Sequence, residues 1–130
     1  MPEINSSNPI LAVLSSAART ATNNSATFTQ TGYRGIRIWL TVTVASGTAG
    51  LKVPLRQKNL IDGNMYEVNA GGSLVTTAVT RVYDFFPNVG AAAGSVQESL
   101  GRALSQQFDI QLTHRDATSY TYSVQAELLP

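Results

Sequence analysis

The chain contains no cysteine, one histidine and one tryptophan in 130 residues. The first absence excludes disulfides and thiolate metal ligands. Charge is scarce as well: Asp, Glu, Lys and Arg make up 13%, against a usual share of roughly 25%. The formal net charge is +1, and the basic residues are scattered singly, so no polyanion-binding surface is expected. No apolar run approaches the roughly 20 residues of a membrane helix. Met1-Pro-Glu-Ile-Asn offers no basic leader, and the run from Pro9 to Leu14 is too short for a signal sequence. The expectation is a protein made in the cytoplasm that binds neither nucleic acid nor membrane.

What the sequence does have is alternation. Across Tyr33 to Val44, YRGIRIWLTVTV, the residues Ile36, Ile38, Leu40, Val42 and Val44 share one face. Arg37, Trp39, Thr41 and Thr43 share the other. Period two with β-branched residues marks a strand, and its aliphatic face requires a covering layer. Leu51, Val53 and Leu55 alternate against Lys52, Pro54 and Arg56, with Pro54 marking an edge or a bulge. Asp62-Gly63 predicts a hairpin turn to Met65–Val68, and Gly71-Gly72 ends that strand. Leu74 to Phe86 is β-rich with imperfect alternation, which predicts a bulge or a mid-strand bend near Ala78. Phe108, Ile110 and Leu112 face one way, with Asp109 on the outward side. Tyr120, Tyr122, Val124, Ala126 and Leu128 alternate in the last strand. The short loop between these two strands reads as an antiparallel hairpin.

Shorter strands are expected over Ala17–Thr22 and over Ala26–Thr29, the latter with Phe28 as its core contact, and Asn23-Asn24-Ser25 reads as a turn. Ser95-Val96-Gln97-Glu98 has capping-box spacing, and Val96, Leu100 and Leu104 follow at helical intervals, so at most one short helix is expected, near 96–104. The fold class is all-β: an antiparallel β-sandwich, jelly-roll-like, of about seven to nine strands. Residues 1–14 are expected to form an N-terminal arm, ordered by a partner, and 15–130 a single β-sandwich domain. Ile10, Leu11, Val13 and Leu14 are too apolar for a free tail. They are either a first edge strand or an arm laid on a neighbouring subunit.

No catalytic, cofactor-binding or metal-binding residues are expected. His114 stands at a strand end, out of parity with Asp109 and across a turn from Asp116, so no catalytic relay forms. A strand-end histidine satisfied by nearby backbone is the plain reading. Asp62-Gly63-Asn64 lacks the remaining ligands of a calcium loop. No phosphate-binding glycine loop is present. Asp84 is expected to be half-buried and paired with Arg81 or Arg102. Seven of the nine basic residues are arginine, the residue enriched at protein interfaces. The candidate interface residues are therefore Ile10, Leu11, Val13, Leu14, Arg37, Trp39 and Arg56. Trp39 is either an interface anchor or covered by a loop or the N-terminal segment.

Four segments also carry a resemblance: SSAARTATNNSATFTQTGYRGIRIWLTVT, LKVPLRQKN followed by GNMYEV, VTRVYDFFPNV, and FDIQLTHRDATSYTYSVQAELL. Together, over roughly residues 14 to 129, they resemble a group of small phage and prophage structural proteins. Thr113-His114-Arg115-Asp116-Ala117 with Ser119-Tyr120-Thr121-Tyr122-Ser123-Val124 is the most specific part. Leu100 to Ser105 departs from the group's pattern, which has proline and an aromatic there. The resemblance implies a head decoration (cement) protein on the capsid surface of a virion, made in the host cytoplasm. It would bind the major capsid protein as a homo-oligomer, expected to be a trimer, and have no enzymatic activity and no cofactor. The alternatives are a head–tail connector or tail component, and a carbohydrate-binding sandwich that uses Tyr33, Trp39, Tyr66, Tyr83, Tyr120 or Tyr122 for stacking.

Overall fold

The structure, a computed structural model, describes residues 9–69, 74–87, 90–91, 94 and 96–130. Residues 1–8, Gly71-Gly72, Asn88 and Ser95, which carry parts of the sequence reading, lie outside these. The described residues form eleven strands. They are β1 (Ile10–Arg19), β2 (Asn23–Asn24), β3 (Phe28–Thr29), β4 (Gly35–Val44), β5 (Leu51–Lys52) and β6 (Leu55–Lys58). These are followed by β7 (Met65–Glu67), β8 (Thr80–Phe85), β9 (Val96–Leu100), β10 (Gln107–His114) and β11 (Tyr120–Leu129).

Two sheets pack face to face as a β-sandwich. The first has the order β1-β11-β4-β8-β9, antiparallel except for the parallel β8–β9 pair. In the second, β10 is central, with β2, β3, β5 and β6 paired to it and β7 outside β6. The chain passes from one sheet to the other at six of the ten connections between the described strands. The core forms where the apolar rows meet. Ile36, Ile38, Leu40 and Val42 of β4 and Val124, Ala126 and Leu128 of β11 face Leu51, Val53, Leu55, Phe108, Ile110 and Leu112. Burying the β4 row contributes roughly 6–12 kcal/mol as an upper bound.

Several local readings hold. Asp62-Gly63 turns β6 into β7, with Gly63 at φ 77°. Pro54 is an exception: it interrupts the ladder between β5 and β6 but marks neither an edge nor a bulge, because Lys52–Thr113 and Leu55–Ile110 keep one register, β7 flanks β6, and the Pro54 carbonyl still accepts from the Gln111 amide at 3.0 Å. The chain bends at Thr77-Ala78. Before the bend Val75 pairs with Leu51, and after it β8 joins the first sheet. Phe28 packs its ring 5.5 Å from that of Phe108.

Other readings are corrected. No helix forms at 96–104: Val96–Leu100 is β9, laid along β8. Val96 and Leu100 fit either period, and a nine-residue helix containing Gly101 is marginal by itself, whereas β8 offers a ladder of partners. Asn23-Asn24, read as a turn, forms β2. The last two strands are not a hairpin, because β10 lies in the second sheet and β11 in the first. Val44 is exposed, because a bulge between Thr121 and Tyr122 breaks the parity of the β4–β11 register.

Residues 10–14 continue without a break into β1, paired to β11. Of the two arrangements open to this segment, the described residues adopt the edge strand. The β1–β11 register shifts between Ala12 and Leu14 and again between Leu14 and Ala17. Bulges leave backbone carbonyls without ladder partners. Arg19 fills that need: Nη2 donates to Ser15 O at 2.7 Å, and Nη1 to Tyr122 O at 2.8 Å and Ala17 O at 3.2 Å. Its guanidinium also lies 4.7 Å from the Tyr122 ring centre. Arg19→Met keeps the stem and orphans the three carbonyls. We expect a loss of about 1–3 kcal/mol, read from urea denaturation, and faster amide exchange across Ser15–Ala18.

Candidate interaction surface

Each sheet carries one arginine with a carboxylate on both neighbouring strands. In the first, the register places Arg37 between Glu127 of β11 and Asp84 of β8. Arg37 grips Asp84 with two bonds, Nε to Oδ1 at 2.7 Å and Nη2 to Oδ2 at 3.1 Å. In the second, Arg56 lies between Asp109 of β10 and Glu67 of β7. Its Nε donates to Asp109 Oδ1 at 2.7 Å and its Nη2 to Oδ2. Paired residues of an antiparallel ladder share a face, so both groups lie on outer faces. The forked geometry is the strongest form of this contact. It raises the pKa of each arginine above its ordinary value, the hydrogen bond to Asp84 or Asp109 being the main cause.

Two expectations change here. Asp84 pairs with Arg37 and not with Arg81 or Arg102. Asp109 keeps its outward parity yet is buried, capped by the Arg56 guanidinium.

The candidate interface residues divide. Ile10, Arg37 and Trp39 share the outer face of the first sheet: Ile10 pairs with Glu127 and Glu127 with Arg37, and Gln125 links Ala12 to Trp39. Ile10 is 63% exposed, while Trp39 is half-buried. Leu11 and Leu14 pack against the core and Val13 is part of it. Arg56 belongs to the other sheet. Of the six aromatics weighed for sugar stacking, Tyr83, Tyr120 and Tyr122 are buried.

Beside Arg37 an open concavity of about 310 Å³ is lined by Arg37, Asp84, Phe86, Leu129 and Pro130. Gly35 makes it possible. A Cβ there would sit 2.4 Å from Phe85 O and 2.4 Å from the Phe86 ring. The missing side chain lets Phe86 lie across the start of β4, where Arg34 stacks on it at 5.2 Å. Sequence reasoning missed this concavity. The signal was glycine directly before an unbroken alternating strand. It also passed over Leu60 and Ile61, aliphatics standing inside a turn sequence.

His114 sits at the far end, between the two sheets. Its Nε2 shares a hydrogen bond with the Tyr122 hydroxyl at 2.9 Å, and Nδ1 is buried without a partner. The backbone is not its ring partner; its own amide donates to Thr22 Oγ1 at 3.1 Å. Burial pushes its pKa below 6.5, opposed by Asp116 and aided by Arg19. Nearby, Asp116 ties together the two crossover loops, accepting from Thr48 Oγ1 at 2.6 Å, Ala49 N at 3.0 Å and Thr118 Oγ1 at 2.6 Å. These hydroxyls, Thr118 and then Thr48, hold the Asp116 carboxyl well below the usual range. Among the described residues no group of three His, Asp or Glu side chains could hold a metal ion.

No family model, no curated protein and no solved structure matches the chain.

Two outcomes follow from these sites. Gly35→Ala should cost about 1–3 kcal/mol through overpacking, measured by thermal unfolding, and displace Phe86. The folded pKa of His114 lies below its unfolded value, so on acidification the unfolded chain takes up the proton first. Stability should therefore fall as pH drops through the region just under 6.5. Urea midpoints measured across it should slope less in His114→Gln.

Proposed function

We propose that this chain is a virion structural protein, a capsid decoration module that binds the assembled major capsid lattice and stabilises it. The observation that carries the reading is the outer edge of β1, which pairs with no second strand among the described residues. Leu128 donates to Pro9 O at 3.1 Å, which fixes the hydrogen-bonding phase. The peptide groups of Ile10 and Ala12 therefore point away from β11. An unpaired edge without charge at its start is a template for an added strand.

The remainder of the surface supports assembly and not chemistry. Arg37 and Arg56 are matched by carboxylates within their own sheets, so neighbouring copies on a lattice meet little net field. The resemblance to small phage structural proteins points the same way. A ligand that binds only the assembled shell stabilises it by mass action, and a homo-oligomer would multiply that effect.

The test combines copy number with an edge block. Hundreds of copies per particle fit decoration, whereas six or twelve mark a connector ring. Ala12→Pro removes an outward amide and no bond to β11, so it should leave folding intact and weaken cosedimentation with capsid shells at least about tenfold. Equal binding to shells and to unassembled capsid protein would overturn the reading.

A further inference from the structure

The β6–β7 turn presents two aliphatic side chains to solvent: Leu60 is 58% exposed and Ile61 98%. Such exposure on a loose loop would mean little. This loop is braced. Asn59 Oδ1 accepts from the Ile61 amide at 2.8 Å, and Asn59 O accepts from Gly63 N at 2.8 Å. Asn59 N donates to Asn64 O at 2.9 Å, and Asp62 Oδ1 accepts from Asn64 N at 2.8 Å. The Tyr66 hydroxyl donates to Asp62 Oδ2 at 2.6 Å. Tyr66 is itself half exposed, so the tip is a fixed apolar knob with an acidic flank. Holding an anchor in place before contact lowers the entropy cost of binding.

The same chain carries a matching hollow. The concavity of about 310 Å³ beside Phe86, Leu129 and Pro130 lies at the lower end of the roughly 300–1,000 Å³ range of ligand sites. It is open, which suits a side chain delivered on a turn. Its charged lining, Arg37 and Asp84, is already paired, and a further cation, Arg34, stands beside it. Arg34 stacks on Phe86 and takes part in neither of the two ion pairs among the described residues. Knob and hollow belong to the same end of the sandwich. Arg34 O accepts from Leu104 N at 2.8 Å, and Gln57, at the end of β6, bonds Ala103 O and Ser105 N. With Ile61 almost wholly exposed, the knob does not fill the hollow of its own chain.

We propose that the Leu60-Ile61 knob of one copy seats in the Phe86–Leu129–Pro130 hollow of a second copy, with Asp62 facing Arg34. The contact is heterologous, so repetition gives a ring if the rotation closes. It rests on the reading of the protein as a self-assembling module and not on which shell it coats. A lipid surface is the other conceivable occupant of an apolar tip. Asp62 is acidic and Lys58 is the one cation in residues 57–69, so the turn itself gives no basic collar for one.

The experiment mixes two variants, with mass read by analytical ultracentrifugation. Ile61→Asp removes the knob and keeps the hollow. Leu129→Lys blocks the hollow and keeps the knob. Each alone should self-associate at least about tenfold more weakly than the parent chain. Mixed, they should form a one-to-one dimer through the single intact contact. Ile61 touches almost nothing in its own chain, so its variant reports on association even if Leu129→Lys folds poorly. An oligomer unchanged by Ile61→Asp overturns the knob contact and leaves decoration standing. Loss of association in both variants without a mixed dimer also overturns it, as does flotation of the parent chain with neutral or anionic vesicles that Ile61→Asp abolishes. A monomeric parent chain overturns the contact whatever the capsid assay shows.

Discussion

The aliphatic row of β4 must be buried, and burying it requires a second sheet. Ile36, Ile38 and Leu40 are wholly removed from solvent, and β10 and its partners supply the cover. Because β4 is flanked by β11 and β8, both its backbone edges are satisfied. Everything else is arranged around this strand. The concavity lies at its beginning, the charged triplet one turn of the pleat further on, and the crossover loops tied by Asp116 at its end.

Charge is handled by a single device used twice. An arginine on one strand is met from both sides by carboxylates on its neighbours. A buried carboxylate such as Asp84 or Asp109 would be costly alone, and the forked arginine offsets that cost. Exposed parts of such pairs add little stability, since water screens them. Their greater effect is on the surface, where cations and anions cancel within each sheet. What then distinguishes one region of the exterior from another is shape and apolarity: the bared peptide edge of β1, the Phe86 hollow and the Ile61 knob.

Much of this was legible from spacing. The period-two runs at Ile36–Val42, Phe108–Leu112 and Tyr120–Leu128 name the core rows correctly, because alternation is a local property of the backbone. Pairing is not local. The run-up to His114 and the strand from Tyr120 read as neighbours because they are close in sequence, yet the connection between them crosses from one sheet to the other. Val96–Leu100 could satisfy either a helix or a strand, and only the vacant flank of β8 decided it. The partners of Asp84 and Asp109 were hidden for the same reason, since registers between β4 and β8 or β6 and β10 are fixed by the whole sheet. The hollow depends on Gly35 and Phe86, 51 positions apart by their numbers. No spacing rule joins them.

The pairing of β1 with β11 has a consequence for how the molecule is made. Among the eleven described strands β1 is the first to leave the ribosome, and β11, with which it pairs, is the last. Until β11 emerges, β4 also lacks a flank, and the first sheet cannot close. The nascent chain must carry apolar strands without their partners through most of synthesis. Completion of the domain is therefore tied to translation of its final strand.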